Sequence, residues 1–349
     1  MPITPGPIER LLLLRLNRGP AVMLDFLGAQ AFRVVCIATK LGVLEALRDG
    51  PLASAAVARR IEADERGTTL LLEALEALGY VASRNGRYAN TPATVKWLLR
   101  DSPKSLAAGI PFFEDMVFDR WAHLGESIRR GKPVIYGYDW LNERPGRWRD
   151  YEEGMLATAR MAADEVVTKV KLSSGAQRLL DVGGGHGLYS IAFCRRHPRL
   201  SATVFDLPQA LEVARQTIAA NGMSERVSVR EGDFSKDDLG AGYDVVLAFN
   251  IIHAHSPEQN TDLLRKISDS LNETGRIAIL DQMAGKGLGP AAKALVRLEA
   301  LNFFNDLGAR TYSFEEIGSW LQEAGFVGLR QVNLRTAPGF GLVLGTKAR

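Results

Sequence analysis

The sequence has few cysteines, and its histidines are scattered. Only Cys36 and Cys194 occur among 349 residues. Both lie in apolar helical patterns, so a disulfide framework is excluded and both thiols are expected in the core. The five histidines form no HxxxH pair and no cluster with cysteine, so no metal site is predicted.

The sequence also lacks a strong charge bias and an apolar run of membrane-spanning length. The net charge of +3 is too small to indicate a nucleic-acid partner. Leu11–Leu14 is too short to cross a bilayer, is flanked by Arg10 and Arg15, and shows no signal-peptide pattern. We therefore expect a cytoplasmic protein without a membrane partner, and an exposed helix of this kind often docks on another chain.

The N-terminal part, residues 1–100, shows a winged-helix pattern. Apolar residues recur at helical spacing through 8–48, and two shorter helices follow, the second over 66–78. An Asn-Gly pair then divides 80–90 into two short strands, which is typical of a tight hairpin turn.

The second short helix decides between two uses of a winged helix. Its sequence over 68–77, Thr-Thr-Leu-Leu-Leu-Glu-Ala-Leu-Glu-Ala, is apolar and acidic. A helix that enters a DNA groove needs Lys, Arg, Asn or Gln facing outwards. Dimerisation is therefore the predicted role, and a winged-helix regulator that senses a ligand is the less favoured alternative.

Residues 101–174 are predicted to form a mainly helical linker rich in aromatic side chains. Many of these rings must pack in the core, and a subset is expected to line an apolar pocket for a flat substrate. The candidates for substrate contact are Phe113, Trp121, Tyr151 and Met155.

Strands and helices alternate over residues 175–349, which predicts a Rossmann-like α/β domain with helices on both faces of a parallel sheet. No helix separates the last two strands, so one antiparallel strand is expected. The seven predicted strands are 178–182, 202–205, 227–231, 244–249, 276–280, 327–333 and 342–346.

The first of these strands leads into a glycine-rich turn with Gly183, Gly185 and Gly187. Glycine lets the backbone approach a ligand closely, and the following helix presents free N–H groups, so the turn predicts a nucleotide-cofactor cradle. Leu188 stands where the dinucleotide fingerprint has its third glycine, which disfavours a nicotinamide dehydrogenase. Asp181 suits a cofactor with a cationic amino-acid group, such as S-adenosylmethionine.

Three further strand ends carry groups suited to the same ligand, because ligands of open α/β sheets bind beyond the carboxyl ends of the strands. Asp206, followed by Leu207, can accept hydrogen bonds from both ribose hydroxyls. Asp233 can accept from the adenine amino group while Phe234 covers the ring. Asn250 ends the fourth strand, where the reacting methyl group is expected.

These strand ends, taken in order, resemble those of class I S-adenosylmethionine-dependent methyltransferases. The resemblance covers nearly the whole chain and is sharpest to small-molecule O-methyltransferases with an N-terminal winged-helix dimerisation domain, such as caffeate, hydroxyindole and polyketide O-methyltransferases. The motifs that carry it are Leu180-Asp-Val-Gly-Gly-Gly-His-Gly187, Phe205-Asp-Leu-Pro208, Gly131-Lys-Pro133, Tyr151-Glu-Glu-Gly-Met155 and Glu323-Ala-Gly-Phe326.

The resemblance implies S-adenosylmethionine as methyl donor and S-adenosylhomocysteine as product, with no metal. It also implies an aromatic small-molecule substrate and a homodimer in which residues 8–48 exchange contacts. His253 matches the family's base, which would remove the proton of the acceptor, and Asp281 matches an acid that supports it. The segment 298–306 should cover the acceptor, with Asn302, Phe303 and Asp306 as candidate contacts.

Three positions depart from the family's pattern. Ala254 and His255 stand where the family has Asp and Trp, and Ala309 stands where it has a second supporting carboxylate. His255 is therefore a second candidate, either as the base or as a wall of the pocket. Oxygen is the expected acceptor atom; the alternatives are C- or N-methylation, or use of the cofactor without methyl transfer.

Overall fold

The computed structural model describes residues 5–284 and 289–349. The chain divides into two compact units, Met1–Glu114 and Asp115–Arg349. The boundary falls inside the segment 101–174.

The first unit consists of helices and one β-hairpin. Asp64 caps the helix Glu65–Ala77 by accepting a hydrogen bond from Gly67 N at 2.7 Å. Asn85 and Gly86 have φ angles of 51° and 74°, as the tight turn requires. The predicted winged-helix order is confirmed. The elements are α1 (Pro7–Arg10), a π-helical turn (Leu11–Arg15), α2 (Val22–Lys40), α3 (Val43–Ala46), α4 (Ser54–Arg60), α5 (Glu65–Ala77), β1 (Val81–Arg84), β2 (Arg87–Asn90), α6 (Pro92–Trp97) and α7 (Ile110–Phe118), which crosses the boundary.

Helix α2 has two different halves. It is long and apolar enough to cross a membrane by length and composition, a property shared by core helices of soluble proteins. Its second half contributes Val35, Cys36 and Ala38 to the core of the first unit. Several apolar side chains between residues 8 and 26, in the elements before α2 and in its first turns, are exposed to solvent. We call these side chains the N-terminal apolar surface: Ile8, Leu11, Leu14, Leu16, Val22 and Phe26.

The second unit alternates strands and helices after a helical entry. Its elements are α8 (Leu124–Arg130), α9 (Gly137–Asn142), α10 (Arg147–Lys169), β3 (Arg178–Val182), α11 (Leu188–Arg196), β4 (Ser201–Asp206), α12 (Leu211–Ala220), β5 (Val227–Glu231), β6 (Tyr243–Phe249), α13 (Pro257–Ser270), β7 (Leu271–Ala284), α14 (Pro290–Leu307), β8 (Tyr312–Ser313), α15 (Phe314–Glu323), β9 (Phe326–Asn333) and β10 (Phe340–Lys347).

The main sheet has the order β5-β4-β3-β6-β7-β10-β9, and the two-residue strand β8 pairs with β7. The strands from β5 to β7 are parallel, and β10 is antiparallel to both of its neighbours. The seven predicted strands and the single antiparallel strand are confirmed. Two details were not predicted: β7 is longer than 276–280, and β8 was not expected.

Both faces of the sheet are covered, which explains the continuous apolar character of its strands. Leu179 packs in one cluster with residues of α10, α11 and α12. Leu180, on the opposite face, packs in a second cluster with residues of α13 and α15. This burial holds the strands in position, so the carboxyl ends of the parallel strands, with the residues that follow them, lie along one edge of the sheet.

Candidate active site

A cavity of about 280 Å³ lies at the carboxyl ends of the strands. In the sheet β3 is next to β6, with β4 beyond β3 and β7 beyond β6, so the strand order reverses between them. Such a reversal is where open α/β sheets bind their ligands. The loops that follow β3, β4, β5 and β6 all contribute to the lining, together with residues of α9 and α10.

The glycine turn after β3 cannot accept larger residues at two positions. Gly183 and Gly185 have φ angles of 64° and 42°, in the left-handed region. A Cβ on Gly183 would lie 2.6 Å from Ile251 Cγ2, and a Cβ on Gly185 would collide with the Glu152 carboxylate. Gly187 has a different place: it precedes α11 as the N-cap residue and is outside the cavity lining.

Two of the predicted cofactor-binding carboxylates, those of Asp181 and Asp206, line the cavity. Asp206 accepts hydrogen bonds from Gly185 N at 2.8 Å and from Leu207 N at 2.7 Å. Asp181 accepts from Ser190 Oγ at 2.8 Å. Burial raises the pKa of Asp181 to about 7 and that of Asp206 to about 6, because the anion is penalised away from water.

The Asp233 carboxylate lines the cavity but is already engaged by its own loop. It accepts from Ser235 N at 2.9 Å and pairs with Lys236 Nζ at 2.9 Å. Burial alone would raise the pKa of Asp233, but these partners lower it, so the group stays ionised. Phe234, beside it, also lines the cavity.

Three aromatic side chains, those of Tyr138, Trp148 and Tyr151, line another part of the same cavity. The Trp148 ring is stacked with Tyr138 at 5.9 Å between centroids and lies edge-on to Tyr151 at 6.1 Å. Among the predicted substrate contacts, Tyr151 and Met155 line this cavity, and Asn250 lines it from the end of β6.

His253 and Asp281 form a hydrogen-bonded pair. His253 Nδ1 is 2.7 Å from Asp281 Oδ1, and His253 N donates to Asp281 Oδ2 at 3.1 Å. A carboxylate accepts only, so Nδ1 carries the proton towards Asp281 and Nε2 keeps the lone pair. The Phe303 ring is stacked on the imidazole, 3.8 Å away at 10°. The geometry therefore provides an oriented imidazole whose Nε2 can accept a proton.

His255 has a different environment from His253, although both lie at the short 3₁₀ turn Ile252–Ala254. It lines the cavity of the glycine turn, and its ring lies edge-on to Phe234 at 5.4 Å. Burial, followed by the charge of His253, lowers the pKa of His255. His255 is therefore a neutral wall of the cavity.

The remaining substrate candidates lie apart from the cavity lining. Trp121 Nε1 donates to Asn302 Oδ1 at 2.8 Å. The Asp306 carboxylate is buried and is held by Arg120, whose Nε donates to it at 2.8 Å. Phe113 is a half-buried residue of the first compact unit.

The donor and acceptor set of the cavity fits S-adenosylmethionine. Asp206 suits the ribose hydroxyls, and Asp233 with Phe234 suits the adenine. Glu152 Oε2 and Asp181 Oδ1 are buried acceptors without a hydrogen-bond partner among the described residues. An acidic cavity with unused acceptors is suited to a ligand that carries positive charge.

Comparison with known proteins assigns the family. Residues 121–327 match the O-methyltransferase domain, and residues 25–101 match the O-methyltransferase dimerisation domain. This chain belongs to the S-adenosylmethionine-dependent O-methyltransferase family.

This chain is similar to both bacterial and human proteins. It is 31% identical over 334 residues to a 3-hydroxy-5-methyl-1-naphthoate 3-O-methyltransferase of Streptomyces sahachiroi, covering 94% of this chain and 96% of the relative. It is 28% identical to an L-tyrosine C(3)-methyltransferase of Streptomyces lavendulae, covering 86% and 84%. The human N-acetylserotonin methyltransferase, solved in complex with SAM, shares the fold with a TM-score of 0.84 at 23% identity over 100% of both chains.

Sequence reasoning missed two acidic residues of this chain. Glu152 lies in the cavity lining, and helical periodicity could have found it, because it shares the buried face of α10 with Leu156 and Ala159. Glu299 lies one helical turn before Phe303 on α14. Burial raises the pKa of Glu299, opposed by His253 and by a hydrogen bond with Asn302. No local pattern marks Glu299.

Proposed function

We propose that this enzyme transfers a methyl group from S-adenosylmethionine to a hydroxyl group of an aromatic or polycyclic small molecule in secondary metabolism. The observation that carries the proposal is the His253–Asp281 pair, 2.7 Å apart. His253 follows the end of β6 by four residues and precedes the cavity-lining His255 by two, and Asp281 lies on the neighbouring strand β7. A base placed beside a cofactor cavity is what O-methylation of a weakly acidic hydroxyl needs.

The residues have separate tasks in this reaction. When bound, S-adenosylmethionine supplies a methyl group on sulfonium sulfur, which keeps the electron pair of the carbon–sulfur bond as the carbon–oxygen bond forms. His253 Nε2 accepts the hydroxyl proton, and Asp281 stabilises the resulting imidazolium. A phenol has a pKa of about 10 and keeps its proton at neutral pH, so a base that accepts this proton lowers the barrier. Tyr151 and Met155 hold a flat acceptor and exclude water.

The test combines binding and turnover. Calorimetry should show S-adenosylhomocysteine binding, and incubation with methyl-labelled S-adenosylmethionine and a panel of phenols, naphthols and hydroxylated polycycles should give O-methyl products. Binding of NADH without binding of S-adenosylhomocysteine would overturn the cofactor assignment. Binding without O-methyl transfer to any hydroxylated acceptor would overturn the acceptor assignment.

Carbon methylation is the second candidate. Ala309 provides no carboxylate where the resemblance expects one, and one relative is a C-methyltransferase by name. The position of the transferred methyl group, read by NMR after turnover with a methyl-labelled donor, separates the two candidates. A labelled methyl on a ring carbon supports the second candidate, and a labelled methoxy group supports O-methylation.

We also propose that the enzyme is a homodimer. The support is the match to the dimerisation domain over 25–101 and the N-terminal apolar surface on the same unit. Light scattering should give twice the chain mass, and Leu14→Glu combined with Phe26→Glu should give the monomer mass. A monomeric mass for the unaltered protein would overturn this proposal.

A further inference from the structure

Glu152 is a buried carboxylate in an unusual position. It is 3% exposed, comes from helix α10 and packs against the glycine turn, where a Cβ on Gly185 would collide with it. Its Oε2 has no hydrogen-bond partner among the described residues, and the ion pairs of the described residues do not include it. A buried polar atom without a hydrogen-bond partner is costly, so a carboxyl group kept in this place indicates a ligand group that donates to it.

The surroundings of Glu152 are acidic. Asp206 and Asp181 line the same cavity. Burial, and then the charge of Asp206, raises the pKa of Glu152 well above its usual range. Asp206 already receives two backbone N–H groups and Asp181 one serine hydroxyl, while Glu152 Oε2 and Asp181 Oδ1 remain unused acceptors. Two such acceptors on one cavity can serve a ligand group with several N–H donors.

We propose that Glu152 binds the α-ammonium group of S-adenosylmethionine, together with Asp181, an inference that rests on the cofactor assignment made above. The ribose hydroxyls are assigned to Asp206 and the adenine amino group to Asp233, so the ammonium group is the remaining donor. The pairing of an ammonium with a buried carboxylate is charge-assisted and strong. Glu152 thereby also holds α10 against the glycine turn when the cofactor is bound.

Calorimetry with three ligands tests this contact on the full-length protein. The ligands are S-adenosylhomocysteine, its analogue lacking the α-amino group but keeping the carboxylate, and methylthioadenosine, which lacks the whole amino-acid part. Glu152→Gln should weaken S-adenosylhomocysteine binding about 10- to 100-fold. The same variant should leave both other ligands within about twofold of the unaltered protein, since each lacks the group that Glu152 binds.

A matched control variant is available at the next residue. Glu153 lies outside the cavity lining, so Glu153→Gln should leave the affinity for all three ligands unchanged. If Glu152→Gln weakens the three ligands equally, the residue only braces the glycine turn and the proposal is wrong. The proposal also fails if none of the affinities changes.

Failure of this inference is distinguishable from failure of the proposed function. If the unaltered protein binds none of the three ligands, the cofactor assignment itself is wrong. If it binds S-adenosylhomocysteine more tightly than the deaminated analogue while Glu152→Gln binds like the unaltered protein, the cofactor assignment stands and Glu152 is not the partner of the ammonium group.

Discussion

His253 offers both its ring and its backbone to Asp281: Nδ1 lies 2.7 Å from Oδ1, and the backbone N–H donates to Oδ2 at 3.1 Å. The carboxylate therefore fixes the position of the strand end and the tautomer of the imidazole together. Asp281 therefore orients His253 by itself, because Ala309 stands where the resemblance expects a second supporting carboxylate.

Removing the imidazole of His253 should lower the rate of turnover without weakening cofactor binding. We expect His253→Ala to lower kcat by about 10²- to 10⁴-fold, the usual contribution of a positioned base. The affinity for S-adenosylhomocysteine should change little, because His253 lies outside the cavity lining. His255→Ala should behave in the opposite way, weakening the cofactor analogue more than it lowers kcat. Full turnover by His253→Ala would show that it is not the base.

Neutralising the partner of the histidine should lower turnover. Asp281→Asn keeps the shape of the side chain but cannot stabilise an imidazolium, so kcat should fall about 10- to 100-fold. The affinity for S-adenosylhomocysteine should change little, because Asp281 lies outside the cavity lining. An unchanged kcat would show that the Asp281 carboxylate does not support the base.

The glycine turn offers a test with an internal control. Gly185→Ala places a Cβ in a left-handed residue and against the Glu152 carboxylate, so S-adenosylhomocysteine should bind roughly 10- to 100-fold more weakly. Gly222→Ala has the same kind of backbone, with φ of 64°, but nothing within 4 Å of the new Cβ. That control should lose about 1 kcal/mol of stability and keep its ligand affinity. Equal ligand affinities in the two variants would contradict the close approach at Gly185.

Cofactor affinity should depend on pH. The folded pKa values of Asp181, about 7, and Asp206, about 6, lie above their ordinary range, so these carboxyls hold protons that the unfolded chain has already released. The ligand-free protein should thus lose stability as pH rises from about 4 to about 7. S-adenosylhomocysteine needs the ionised carboxylates, so its Kd should fall as pH rises from about 5 to about 7.5. Calorimetry across this range would refute the assignment if Kd were constant.

The buried Arg120–Asp306 pair gives a prediction about stability. Asp306→Ala leaves the guanidinium of Arg120, which is 8% exposed, without its carboxylate. The free energy of unfolding should fall by about 3 kcal/mol or more, as for other broken buried pairs. Chemical denaturation would measure the loss. A stable variant with a raised KM would instead support a direct contact of Asp306 with the substrate.

The strands and the acidic residues that line the cavity, Asp181, Asp206 and Asp233, could be predicted from the sequence. Each follows from a local signal: an apolar run, a glycine turn, or an acid at a strand end. The His253–Asp281 contact depends on the register of β6 on β7, in which Phe249 lies opposite Leu280. Local spacing contains no information on that register, so only the family resemblance suggested the pair. Strand β8, with two residues, is too short to leave a periodic signal.

The short turn Ile252–Ala254 and the residue after it place two histidines in separate surroundings: His255 lines the cavity of the glycine turn, and His253 is stacked with the Phe303 ring of α14. None of Asp281, Phe303 and Asn302 belongs to the cavity lining of the glycine turn. Substitutions at Asn302 and Phe303 on α14 therefore change the surroundings of His253 without changing any residue that lines the cavity of the glycine turn.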